Sequence, residues 1–318
     1  MSRFAIVNPG LLTTFQDLGR PEMLKYALSV SGAMDQTSVY LINLLLGNQE
    51  TAAVLETTMV GLKLRALADG QIVVGGADQS LEINGRSAQM WTVLSVKEGD
   101  VIALTELHSG MRAYVGVTGG FEAPLILGSR SAYLRGSIGS AFKYGDEIRS
   151  FENKGGYWNT GKVLPSRFIP DRDMKKPFRV LPGSQMNYFS ETGIQVFSTS
   201  SYTISPVSDR QGIRTDGPKV DRIKGPDIIT DPTPMGSIQI PGSGVPIILH
   251  RDAQVTGGYA KIAILCKADI DRAGQLCPGD RIRFEFISRS EALFLLKKRN
   301  HMFEEARKAL AVKNFKNR

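Results

Sequence analysis

The residues of this chain best suited to chemistry crowd into His250 to Leu265, HRDAQVTGGYAKIAIL. Asp252, Gln254, Thr256, Tyr259 and Lys261 offer a carboxylate, an amide, two hydroxyls and an ammonium, with Gly257 and Gly258 among them. Adjacent glycines let backbone pass close to a ligand and permit positive φ, so the stretch reads as a glycine-bearing connection where polar side chains converge. There Asp252 could serve as a base, and Lys261 could neutralise negative charge developing on a substrate. The same spacing also describes a hairpin whose polar residues are simply solvated, and spacing alone leaves both readings open.

Further candidates lie beside glycine turns elsewhere: Asp17 and Arg20, Asp35, Glu56, Asp78, Asp209, Arg210, Arg214 and Gln239. Charges inside apolar, strand-like runs are rarely buried without a partner, which singles out Glu56 and Asp252. Either each pairs with an arginine (Arg20, Arg210 or Arg214) to hold the fold, or they belong to a pocket for a ligand bearing carboxylate and amide groups. In such a pocket arginine grips a carboxylate bidentately, and Asp, Gln and Thr read N–H and C=O groups. Several chemistries are unsupported: the sequence has no GxxxxGK[ST] loop, no GxGxxG opening a helix, no HExxH, no GxSxG and no Met-Lys-Met biotinylation-type site. Histidines at 108, 250 and 301 are too scattered for a triad or metal set, and Cys266 and Cys277 match neither a zinc nor a CxxC spacing. No metal site is expected. Cys266, continuing an apolar run, reads as a buried thiol.

The elements that must position these residues are mostly strands. Val245 to Leu249 and Ile262 to Leu265 flank the central stretch. Earlier, strand-like runs (4–7, 53–58, 71–74, 81–83, 93–96, 101–104 and 112–117) alternate with Gly, Asn and Asp turns, including Asn84-Gly85 and hairpins at Glu98-Gly99-Asp100 and Tyr144-Gly145-Asp146. One helix stands out, N-capped by Asp35, apolar from Val39 to Leu46 and closed by Gly47. The pattern predicts a mainly β fold, barrel or sandwich, with few helices. Two domains of about 150 residues suit a chain of 318. The expected division is a first barrel over 1–151, a connection rich in glycine and proline over 152–177, a second barrel over 178–288 and a basic helical tail over 289–318. Glu98-Gly99-Asp100-Val101-Ile102 and Pro278-Gly279-Asp280-Arg281-Ile282 echo one another across the halves, as do Asp17-Leu18-Gly19-Arg20 and Ser208-Asp209-Arg210-Gln211-Gly212.

The net charge of +8 does not point to nucleic acid, because residues 289–318 alone carry +6. That tail reads as a helix packed by Leu293, Leu296, Phe303, Ala306 and Leu310, with a partner-docking helix as the functional alternative. No run reaches the roughly 20 apolar residues of a membrane span, and MSRFAIVNPGLL lacks a secretory pattern, so the expected location is cytoplasmic.

Read in order, Phe15-Gln16-Asp17-Leu18-Gly19-Arg20, Ser31-Gly32-Ala33-Met34-Asp35, Leu46-Gly47-Asn48, Leu55-Glu56-Thr57-Thr58 and Gly76-Ala77-Asp78 form a series. It continues through Gly119-Gly120, Leu127-Gly128-Ser129-Arg130-Ser131, Ser208-Asp209-Arg210, Gly236-Ser237-Ile238-Gln239-Ile240-Pro241 and Asp252 to Tyr259. From about residue 4 to 286 the chain resembles the KipA family, also called allophanate hydrolase subunit 2 or the biotin-dependent carboxyltransferase family, whose free-standing bacterial members include the C component of 5-oxoprolinase. The resemblance implies two tandem cyclophilin-like β-barrels, a KipI-like partner and a LamB/YcsF-like third subunit. It also implies ATP-dependent opening of 5-oxoproline to glutamate. Without a phosphate loop here, ATP is expected to be bound with a partner. On this reading Asp252 and Lys261 act on the substrate, Gln254, Thr256, Gly257, Gly258 and Tyr259 line the pocket, and Asp17, Arg20 and Arg210 stand at its mouth. Two alternatives come with the family: a carboxyltransferase subunit of a urea or amide carboxylase using biotin carried elsewhere, and a non-catalytic regulator that binds a KipI-like kinase inhibitor. Pro21-Glu22, Gly75, Gln211 and Val255 depart from the family's usual Pro-Gly, Thr, Met and Thr, next to the expected pocket, and leave the substrate open.

Overall fold

The computed structural model describes residues 1–152 and 159–311. Parts of the expected connection (153–158) and tail (312–318) lie outside the described residues. The chain forms two compact units, but not in linear succession. The first comprises Met1–Arg20, Ser31–Pro170 and the chain from His301; the second comprises Pro21–Val30 and Asp171–Asn300. The units depart from the expected division at two places: residues 21–30 belong to the second unit, and the tail helix is divided between both.

In the first unit, nine strands form one curled sheet: β1 (Arg3–Pro9), β2 (Leu12–Gln16), β3 (Val54–Thr58), β4 (Leu62–Ala66), β5 (Gly70–Ile83), β6 (Arg86–Ala88), β7 (Leu94–Val96), β8 (Val101–Val117) and β9 (Glu147–Arg149). Strands expected separately at 71–74 and 81–83 are one strand, β5, and those at 101–104 and 112–117 are one strand, β8. Gly75 and Gly76, between the two expected runs, are a pair of close approaches within β5. A Cβ on Gly75 would stand 2.7 Å from the Trp91 ring, and one on Gly76 (φ +95°) would stand 2.5 Å from the Arg112 carbonyl. Helix α1 (Gln36–Leu46) lies against β5 and β8, and Gly116 leaves room for Ile42 and Leu46. Asp35 caps it through the Ser38 N–H (3.0 Å), and Gly47 ends it at φ +71°.

The second unit holds β10 (Phe178–Pro182), α2 (Glu191–Thr199), β11 (Tyr202–Ile204), β12 (Gly212–Asp216), β13 (Asp227–Pro232), β14 (Ser237–Gln239), β15 (Ile247–Leu249), β16 (Thr256–Tyr259), β17 (Lys261–Leu265), α3 (Ile270–Ala273), β18 (Arg281–Ile282) and β19 (Phe284–Phe286). Eight of its strands make a sheet in the order β18-β11-β12-β15-β14-β17-β10-β19, and β13 pairs with β16 alone. Its core is aromatic and aliphatic, with Phe197 stacked on Phe284 at 4.6 Å.

The three x-Gly-Asp turns share one geometry. In each, glycine takes φ near +90° (Gly99 93°, Gly145 87°, Gly279 90°). The aspartate carboxylate accepts from the N–H three residues back, at Lys97, Lys143 and Cys277 (2.7, 2.7 and 2.8 Å). The glycine N–H donates to a third strand, at Ala66, Ile6 and Ile204 (2.9 Å in each case). These are docked turns rather than the expected hairpins: β7 pairs with β5, not with β8. A positive-φ glycine sets the change of direction but not the strand that receives it.

Helix α4 (Arg289–Ala311) buries Ala306 and Leu310 and packs Phe303 on Tyr40 at 4.5 Å, all within the first unit. The expected apolar stripe closes only at this end, for Leu293 is 50% exposed. No helix among the described residues is long and apolar enough to cross a membrane.

Beneath α1, Glu56 is buried in a polar network. Its carboxylate accepts from the Met34 N–H (2.8 Å) and the Tyr114 hydroxyl (2.9 Å), and Arg112 lies 3.7 Å away. The Tyr114 hydroxyl also accepts the Asp35 N–H at 2.8 Å. Burial, then the charges of Glu56 and Asp35, raise the Tyr114 phenol well above its usual range, so it stays a neutral donor. Tyr114→Phe leaves two buried polar groups short of a partner, and denaturant unfolding is expected to show a loss of about 1–3 kcal/mol.

Candidate functional site

Thr256 to Tyr259 is not a turn. It is strand β16, and neither Gly257 nor Gly258 has positive φ. The glycines serve close approach instead. A Cβ on Gly257 would lie 2.8 Å from the Gln239 side-chain nitrogen, 3.0 Å from Thr233 Cγ2 and 3.4 Å from the Gln254 side-chain nitrogen. The bare backbone therefore lies over two glutamine amides that a side chain would push apart. Gln239, on β14, is buried and directs its amide N–H at the Tyr259 carbonyl (3.5 Å). Gln254 accepts from the Gln211 amide at 2.8 Å.

Lys261, the first residue of β17, is buried, and its ammonium donates to Asp231 Oδ2 at 2.7 Å. Asp231 is on β13, opposite Gly257 in the ladder, and its side chain is 39% exposed. Gln185 donates to the same oxygen at 3.1 Å and accepts the Lys261 backbone N–H at 3.3 Å. The Lys261 hydrogen bond, then the one from Gln185, hold the Asp231 carboxyl below its usual range. Asp231 and Gln185 carried no signal in the sequence: they stand 30 and 76 residues from Lys261, outside any motif.

Asp252 forms one of the arginine pairs that its position in an apolar run allowed. Both its oxygens face Arg210, at 2.9 Å to Nε and 3.2 Å to Nη2, in a buried bidentate pair. A carboxylate held this way positions the chain around it, with both oxygens engaged by the guanidinium. Asp17 and Arg20 belong to the first unit. The Asp17 carboxylate is surrounded by four donors: the Gly19 and Arg130 N–H groups and the Ser129 and Ser131 hydroxyls, at 2.5–2.7 Å. Buried Arg20 donates to the Ser131 carbonyl. The second unit thus brings Gln254, Gly257, Tyr259 and Lys261 together with Gln185, Gln211, Asp231 and Gln239. Exposed Thr256 and half-buried Gly258 lie on the same strand.

The arrangement supplies paired amides, an ammonium, an ionised carboxylate and a half-exposed tyrosine at one strand edge. It suits a small molecule bearing C=O and N–H groups. Residues 26–286 match the family model described as carboxyltransferase domain, subdomain A and B. The chain belongs to that family. A Haemophilus influenzae protein named as the C component of 5-oxoprolinase is 32% identical over 309 residues, covering 95% of this chain and 96% of that protein. One of the same name from Escherichia coli is 30% identical, covering 94% and 96%. Among solved structures, the K. lactis urea amidolyase superposes with a TM-score of 0.89 at 26% identity, covering 96% of this carboxyltransferase-family chain but only 20% of that one.

Arg210→Met alone is expected to cost about 3–5 kcal/mol in unfolding free energy, because it leaves Asp252 buried and uncompensated; adding Asp252→Leu should recover most of that loss. Asp231 has a lowered carboxyl pKa, so the stability it contributes is present above about pH 4 and lost as pH falls through the lowered value. Lys261→Met should move the Asp231 carboxyl titration, followed by NMR, upward toward the ordinary range, with the Gln185 hydrogen bond still holding it somewhat below.

Proposed function

We propose that this chain is a subunit of an ATP-dependent enzyme of the 5-oxoprolinase type, opening a cyclic amide together with a KipI-like and a LamB/YcsF-like subunit. The observation that carries the proposal is the match to two proteins named as the C component of 5-oxoprolinase, each covered over 96% of its length. The second-unit cluster supports it, because an amide needs donors for its oxygen and an acceptor for its N–H. Lys261 neutralises charge developing on the amide oxygen, and the Gln239 and Gln254 amides orient the ring. Asp231, held ionised, is the nearby carboxylate able to accept a hydrogen bond from the amide N–H; Asp252 and Arg210 position the strand ends. ATP, bound with a partner, supplies the activation that an unstrained amide requires.

A second reading is a carboxyltransferase subunit that uses biotin carried on another protein. The 0.89 TM-score to urea amidolyase favours it specifically. Avidin separates the two. The complex recovered with the tagged chain should release glutamate from 5-oxoproline with ATP, insensitive to avidin, and Lys261→Met should lower the rate at least about a hundredfold. An intact complex that forms no glutamate, or whose turnover avidin blocks, rules out the oxoprolinase reading.

A further inference from the structure

One cavity lies wholly in the first unit and shares no residue with the second-unit cluster. Its volume is about 750 Å³, room for a metabolite-sized molecule. Gly47 at the end of α1 and the Gly119-Gly120 pair contribute bare backbone to its wall. Three cations line it, and their circumstances differ. Arg307 is committed to Glu50 and the Tyr40 hydroxyl. Arg130 stacks on the Phe151 ring at 4.7 Å and donates to the Ala123 carbonyl, with no carboxylate bound to its guanidinium among the described residues. Lys162 is half-buried, and its ammonium has no hydrogen-bond or ion-pair partner among the described residues.

Residues 153–158 and 312–318 contain no Asp or Glu, so no acidic side chain lies outside the described residues to pair with Lys162. Two carboxylates line the cavity. Asp17 is taken up by its four donors, and Glu152 sits exposed at the edge with no ion pair to Lys162 or Arg130. Lys162 is desolvated without compensation, which lowers its pKa. A ligand anion would supply the missing partner, and the Arg130–Phe151 stack offers a flat surface for its body.

We propose that this first-unit cavity binds a small organic anion, its carboxylate or phosphate held by Lys162 and Arg130 and its body lying along Phe151. The test is calorimetric titration of the full chain with ATP, inorganic phosphate and glutamate, in the wild type and in Lys162→Gln, Lys162→Arg and Lys261→Met. The expected result is binding of at least one probe that weakens about tenfold in Lys162→Gln, is kept in Lys162→Arg and Lys261→Met, and declines with added salt. Which probe binds then distinguishes phosphate from carboxylate. Absence of binding by all three at millimolar concentration overturns the proposal. So does binding that survives Lys162→Gln unchanged, and its loss in Lys261→Met would place the anion in the second unit instead.

Discussion

A carboxylate withdrawn from water must be given donors in place of those it loses, and buried acids organise much of this structure on that account. Asp17 collects four donors from two separate stretches of chain, so the loop around Gly19 and the loop at Ser129–Ser131 are fixed against each other. Glu56 ties the Met34 backbone to β8 through Tyr114, and the same hydroxyl holds the residue that caps α1. In the second unit Arg210 closes on Asp252, and the neighbours of that pair, Gln211 and Gln254, bond to one another. The acids that looked most like chemistry in the sequence are, in the fold, chiefly what holds the polar loops in place.

The candidate site follows a different rule. Two of its groups are only partly enclosed, Asp231 at 39% and Tyr259 at 41% exposed, beside the buried Lys261 and Gln239. Gly257 keeps the backbone low enough for the two glutamine amides to lie beneath it. The buried ion pair gives rigidity, and the exposed one keeps an ionised carboxylate within reach of solvent. Asp252 and Asp231 thus differ in surroundings, one enclosed with its arginine and the other open to solvent on one side.

What could be read from the sequence was local. The cap at Asp35, the stop at Gly47 and the positive-φ glycines of the three x-Gly-Asp turns depend on the chain within a few residues, and they stand where expected, though not as hairpins. The family series and the mainly β character were legible for the same reason. Partners were not. Nothing in the spacing told that Glu56 would face Arg112 rather than Arg20, that Asp231 would reach Lys261, or that β7 would leave its own turn to pair with β5. These are long-range choices settled by register, and a glycine pair carries no label saying whether it turns the chain or lets another group come close.

The interleaving of the two units bears on how the protein is made. Residues 21–30 leave the ribosome early yet belong to a unit whose remainder begins at Asp171, while α1 waits for Phe303, Ala306 and Leu310 to cover it. Neither unit can be finished early in synthesis, since one lacks its covering helix until residues past 300 are made and the other has all but ten of its residues after Pro170. The part of α1 that α4 covers therefore stays open through most of translation, a reason for such a chain to lean on chaperones or to meet its neighbours only after release.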